Sequence, residues 1–162
     1  MEEERARQLV EDYSDMLLRI GYTWLGDLDD AKDVCQAALI RAWQAGKRFP
    51  TPKEERAWMV RVAINLCKDW KKSAWVRHRA DLEEGIDLQT SPPEEGGVLE
   101  LVQALPEKDR QVIYLRYYEG YEVREMARLL SLPAAVVSNR LSRARRRLRN
   151  MMEEERHETV SQ

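Results

Sequence analysis

Residues 120–152, GYEVREMARLLSLPAAVVSNRLSRARRRLRNMM, decide how the chain is read. Val123, Met126, Ala127 and Leu130 recur at helical spacing and give a first short helix one apolar face. Ser131-Leu132-Pro133 breaks that helix, and Pro133 suits the first turn of a new one, where a missing N–H costs nothing. Val136, Val137, Leu141, Ala144 and Leu148 then form a second apolar stripe. The other face carries Ser138, Asn139, Ser142 and Arg143, side chains of the types that reach base edges and phosphates. Arg145, Arg146, Arg147 and Arg149 follow, and they spread round the helix, so they cannot all face one partner. Two short helices, a tight turn and an arginine-dense second helix are the outline of a helix-turn-helix that reads duplex DNA.

Helical periodicity continues outward from this stretch, and no segment alternates as a strand would. The spacing predicts helices over residues 3–25, about 30–45, and 52 to about 79. The first places Leu9, Val10, Tyr13, Met16, Leu17, Ile20 and Trp24 on one side. The second places Ala31, Val34, Cys35, Ala38, Leu39, Ala42 and Trp43 there, with Asp29 able to cap its start and Gly46 its end. Thr51-Pro52-Lys53-Glu54 is a helix start with a capping box, and Met59, Val62, Ala63, Leu66, Cys67 and Trp70 form the third stripe. Leu99, Leu101, Val102 and Leu105 read as a short helix. Pro106 opens another, with Val112, Ile113, Leu115 and Tyr118 available for packing and Gly120 at its end. The expected class is all-α: a helical domain over 1–80, a flexible acidic linker over 81–97, a helix-turn-helix domain over 98–152 and a polar tail over 153–162.

The net charge of −2 over 162 residues conceals a pattern. Residues 1–80 carry a balance of +2, residues 81–100 hold seven acidic residues and no basic one, and residues 101–162 carry +3. Basic faces can therefore meet nucleic acid while the acidic stretch lies between them. Cys35 and Cys67 stand far apart inside apolar helical patterns, and with only His78 and His157 no zinc site is readable. No cofactor is called for, and no nucleophile and base set, metal cluster or phosphate loop suggests an enzyme. The polar opening MEEERARQ lacks the order of a signal peptide, and no apolar run reaches spanning length, so a cytoplasmic protein without membrane insertion is expected.

At this point the motifs resemble a known family, the extracytoplasmic-function sigma factors, the minimal bacterial RNA polymerase sigmas with only regions 2 and 4. The resemblance covers roughly residues 8–150. Its pieces are Asp30, Ala31, Asp33, Gln36, Arg41 and Trp43 around one helix, then Trp58, Met59, Val62, Ala63, Asn65 and Asp69. The LPEKDR run from Leu105 and the RLSRAR run at residues 140–145 complete it. Each piece is moderate alone; their order and spacing together are specific.

The resemblance implies a non-enzymatic initiation factor that binds core RNA polymerase, recognises the −10 and −35 promoter elements and promotes opening. Asp33, Gln36, Ile40 and Arg41 match the positions that dock on the polymerase clamp helices. Taken without the family, Asp33 only favours a helix N-terminus and Arg41 only pairs with it at a distance. Phe49 in the loop over residues 47–53 and Asn65 match the positions that hold a base flipped from the single-stranded −10 element. Arg61, Lys68, Lys71 and Lys72, interleaved with Trp70 and Trp75, would contact phosphates and offer stacking surface. Folding of Phe49 back onto the core is the competing reading. Arg124 matches a phosphate contact, and Ser138, Asn139, Ser142 and Arg143 match the major-groove readers of the duplex −35 element. The resemblance also implies an anti-sigma partner.

Departures are visible. Ser131 stands where the family often has glycine, Val136 where threonine often opens the recognition helix, and Ser138 where a basic residue often follows. A stand-alone helix-turn-helix regulator would explain residues 120–152 but neither N-terminal motif. A polymerase-binding decoy would keep the docking residues and lack opening.

Overall fold

The structure is a computed structural model and describes residues 2–81 and 98–160. Every regular element among them is helical: α1 Glu2–Leu25, α2 Leu28–Ala45, α3 Pro52–Asp81, α4 Val98–Ala104, α5 Glu107–Ile113, α6 Val123–Leu130 and α7 Ala134–Val160. Contacts divide the chain into two compact units, Met1–Pro92 and Pro93–Gln162. The linker expected over 81–97 falls, except for Asp81, outside the described residues.

In the N-terminal unit, α1 and α2 run against each other and α3 packs on both. The buried face of α2 is small, with Ala31, Val34, Ala38 and Ala42, which lets α1 approach closely. The approach is tightest at Gly21, where a Cβ would stand 2.8 Å from the Ala31 Cα. Leu9, Tyr13, Met16, Leu17, Ile20 and Trp24 of α1 fill the core against Met59, Val60, Val62, Ala63, Ile64 and Cys67 of α3. Burial pushes the Cys67 thiol up to about 12, so it stays a protonated apolar side chain. A polar clamp closes the end of this core: the Tyr13 hydroxyl donates to Glu55 Oε1 at 2.5 Å and Arg5 pairs with Glu55 Oε2 at 3.0 Å. Burial lifts the Glu55 carboxyl, but the bonds from Tyr13 and Arg5 outweigh it and hold the group below its ordinary value.

Several expectations are corrected here. The cap of α2 is Asp27, whose side chain accepts from the Asp30 N–H at 3.0 Å, and not Asp29, which lies inside the helix. Val10 and Trp43 are exposed instead of buried. The Trp43 indole N–H donates to the Glu2 carbonyl at the start of α1 at 3.4 Å. Cys35, Leu39, Leu66 and Trp70 are half-buried. Val60 and Ile64, absent from the expected stripe, are buried because α3 is covered from two sides.

In the C-terminal unit, α7 packs against α4, α5 and α6. Helix α5 widens at its end into a π-turn over Tyr114–Tyr118, closed by the Glu119 N–H bonding the Tyr114 carbonyl at 3.2 Å. The wider turn rotates Tyr118 outward, so it is exposed and stacks on Tyr114 at 5.5 Å instead of entering the core. Gly120, at φ 75°, then reverses the chain. Met126, Leu129 and Leu130 of α6 meet Val137, Leu141 and Ala144 of α7 in the core. Residues 153–160, expected in a polar tail, continue α7, and their glutamates and arginine are good helix formers.

The turn between α6 and α7 closes as a Schellman motif: Leu132 N–H bonds the Ala127 carbonyl and Ser131 N–H the Arg128 carbonyl. Ser131 therefore occupies the left-handed position at φ 56°, where glycine is unstrained. Ser131→Gly should raise stability by about 1 kcal/mol. Urea unfolding of the full chain measures this, and an unchanged or lower midpoint refutes it.

Candidate nucleic-acid interface

Helix α3 offers a narrow exposed face. A helix turns by about 100° per residue, so residues at i, i+4, i+7 and i+11 align. Arg61, Asn65, Lys68 and Lys72 have this spacing and all are exposed. The buried residues from Met59 to Cys67 occupy the opposite side, Asp69 is exposed beside the stripe, and Lys71 is half-buried and off it. Three cations and one amide thus form a single polar stripe on a rigid support.

The loop before α3 is fixed at both ends. Gly46 closes α2 in the left-handed region at φ 56°, and Thr51 Oγ1 accepts the Glu54 N–H at 3.2 Å. Phe49 lies between them, half-buried, with its ring 5.6 Å from that of Trp58 and tilted by 45°. Lys47 Nζ stands over Trp58 at 5.6 Å from the ring centroid. Phe49 is partly folded back, as the competing reading has it, but onto a residue that shares the exposed face of α3 with Asn65. An aromatic ring and two kinds of cation beside an amide suit a single-stranded nucleic acid.

On α2, Asp33, Gln36, Ile40 and Arg41 are all exposed, the first three opposite the buried alanines and Arg41 at the flank beside Val34. Ile40 is 47 % exposed and Trp43, one turn on, 45 %. The face therefore mixes apolar and charged groups, and Trp43 is a member that hydrophobicity alone assigns to the core.

On α7, Ser138, Asn139, Ser142 and Arg143 are exposed on the side away from Val137, Leu141 and Ala144, and Arg124 is exposed on α6. The four later arginines part company. Arg145 and Arg147 flank the buried stripe, and both are held by the fold. Arg145 hydrogen-bonds the Tyr117 hydroxyl and lies over its ring, while Arg147 pairs with the buried Asp109 of α5 at 2.6 Å. Arg146 and Arg149 share the outer face with Asn139, Ser142 and Arg143, and both are exposed. A cleft of about 690 Å³ separates this helix from the start of α5, with Asn139, Arg140, Arg143 and Arg147 along one wall and Lys108 on the other. Among the described residues no cluster of His, Cys, Asp or Glu could hold a metal ion. No described helix is long and apolar enough to cross a membrane. The side chain of Trp75 lies outside the described residues.

Comparison with known proteins decides the family. The family described as Sigma-70 region 2 matches residues 9–77, and Sigma-70, region 4 matches residues 96–148. The ECF RNA polymerase sigma factor SigL of Mycobacterium tuberculosis is 31% identical over 157 residues, covering 91% of this chain and 89% of its own. The chain belongs to the ECF RNA polymerase sigma factors. SigW of Bacillus subtilis is 29% identical over 162 residues, with 89% of this chain and 87% of the relative covered. The chain spans only 34% of the probable sigma factor RfaY of Xanthomonas campestris, to which it is 35% identical over 139 residues. Among solved structures, the sigma factor RpoE of Bartonella quintana, in complex with the anti-sigma factor NepR, shares the fold. Its TM-score is 0.70 at 20% identity, over 91% of this chain and 96% of that one. CnrH, in complex with the cytosolic domain of CnrY, matches with a TM-score of 0.62 at 25% identity, over 94% of this chain and 90% of that one. This sigma factor is thus an alternative sigma factor for transcription initiation, a DNA-binding factor and not an enzyme.

Proposed function

We propose that this sigma factor divides initiation among three surfaces and works in the cytoplasm. The exposed face of α2, with Asp33, Gln36, Ile40, Arg41 and the added Trp43, docks on core RNA polymerase. Its apolar members supply contact area and its charges supply register. Phe49 and Asn65 hold the flipped base of the single-stranded −10 element, while Arg61, Lys68 and Lys72 track the adjoining phosphates. Ser138, Asn139, Ser142 and Arg143 enter the major groove of the duplex −35 element, with Arg124, Arg146 and Arg149 on its backbone. The domain division follows the two units, with residues 1–80 and 98–152 doing separate work on either side of an acidic linker.

The observation that carries this reading is the single exposed stripe of Arg61, Asn65, Lys68 and Lys72 headed by the ring pair of Phe49 and Trp58. Along one line it places three cations with an amide between them, bounded by the exposed carboxylates of Glu54, two turns before Arg61, and Asp69, beside Lys68. A separate −35 contribution is tested by Arg143→Ala. Duplex binding at the −35 element should weaken by about 1–3 kcal/mol, with preference relaxed at one position and polymerase binding unchanged. Equal weakening on every duplex sequence would make Arg143 a phosphate contact instead.

A partner that masks these surfaces is part of the proposal. RpoE was captured with the anti-sigma factor NepR, and CnrH with the cytosolic domain of CnrY. Here two cationic faces on separate units offer an anti-sigma factor separable targets. Purification from the native host should yield complexes with such a protein as well as polymerase; purification with polymerase alone counts against it.

A further inference from the structure

Trp58 is where the loop carrying Phe49 meets α3. The ring of Phe49 and the ammonium of Lys47 both rest on it, each 5.6 Å from its ring centroid. Residues 46–50 carry no helix, so Gly46 and Thr51 fix the ends of the loop while the Trp58 ring gathers its middle. Trp58 lies three residues before Arg61 and seven before Asn65, which puts it on the same face of α3 as the polar stripe. It is half-buried, while its neighbours Met59 and Val60 point into the core. Its indole is therefore spent on the loop as much as on the core.

We infer that Trp58 is a positioning residue: its ring holds Phe49 and Lys47 at the head of the Asn65 stripe before any nucleic acid arrives. The inference rests on the −10 reading given above for Phe49. Its physical basis is preorganisation. A loop left free to sample other conformations must be ordered on binding, and the ordering weakens the complex. One aromatic pair together with one exposed cation–π contact is enough to shift loop occupancy about tenfold. Phenylalanine at this position would keep a ring face for both contacts, whereas alanine would keep neither.

Two readouts on the full chain test this. The first is trypsin cleavage after Lys47 and Arg48. Trp58→Ala should speed cleavage about tenfold and Trp58→Phe should leave it within about threefold of wild type, because cleavage requires the loop to open. The second is promoter opening by holoenzyme assembled with bacterial core polymerase, read with a fluorescent base in the −10 element. Phe49→Ala and Trp58→Ala should each lower opening about tenfold, the double variant should fall no further, and Trp58→Phe should restore it. Equal binding of core polymerase by all variants shows that the N-terminal unit is folded.

Unchanged cleavage in Trp58→Ala overturns the inference whatever Phe49 does. Single effects that multiply in the double variant overturn it too, since Trp58 then meets DNA on its own account. Faster cleavage with normal opening in Phe49→Ala would keep Trp58 as the holder of the loop and remove the base-binding role of Phe49.

Discussion

Gly21→Leu is expected to disrupt the N-terminal unit and abolish polymerase binding. A Cβ at this position meets the Ala31 Cα at 2.8 Å, its Cβ at 3.0 Å and its carbonyl oxygen at 3.1 Å. Two of these are backbone atoms, so nothing swings aside; α1 and α2 must separate. Even Gly21→Ala should cost about 1–3 kcal/mol by overpacking. Leucine adds three more carbons to the same contact, and a loss beyond that range is a large share of the 5–15 kcal/mol or so that holds a typical domain together. The proposed docking face belongs to the same helix, α2, whose Ala31 makes this contact, so loss of the packing removes the face as well. Urea unfolding followed by circular dichroism, with core polymerase binding on the same samples, measures both effects. A Gly21→Ala variant as stable as the wild type would show that the two helices do not need their close approach.

Removal of the −10 side chains is the second large effect. Stacking of a base on an aromatic ring contributes about 1–3 kcal/mol, so Phe49→Ala should reduce opening roughly 5–100-fold. Asn65→Ala removes the amide proposed to hold the same base and should act in the same direction, while both variants should bind core polymerase normally. The separation follows from geometry within the unit: Phe49 and Asn65 belong to the loop and the outer stripe of α3, whereas Asp33, Gln36, Ile40 and Arg41 belong to α2. Normal melting by holoenzyme carrying Asn65→Ala would remove that residue from the site.

The parts of this molecule legible in its sequence are those governed by local rules. The 3.6-residue period exposed the helices, Pro133 marked the start of α7, and the Thr51 cap marked the start of α3. What failed depended on distances between elements. Hydrophobicity placed Val10, Trp43 and Tyr118 inside, but all three are exposed: the Trp43 indole reaches the Glu2 carbonyl of α1, and the π-turn turns out Tyr118. The cap of α2 slipped from Asp29 to Asp27 because either aspartate fits the local pattern and only the Asp30 N–H distinguishes them. The arginines of α7 looked alike in the sequence. Their division into fold-holding Arg145 and Arg147 and outward Arg146 and Arg149 needed Tyr117 and Asp109, which lie 28 and 38 residues away. The candidate sites show the same contrast. The alignment of Arg61, Asn65, Lys68 and Lys72 is periodicity and could be counted, whereas the seat of Phe49 on Trp58 is a contact between a loop and a helix and could not.

The central claim is that one chain carries polymerase docking, promoter recognition and opening. Its most direct test is transcription from a pool of random promoter sequences by bacterial core polymerase, with and without the full chain. The prediction is chain-dependent transcripts whose templates are enriched in two separated elements, the upstream one relaxed at one position in Arg143→Ala and the downstream one weakened in Phe49→Ala. Core binding without any chain-dependent transcript would contradict it.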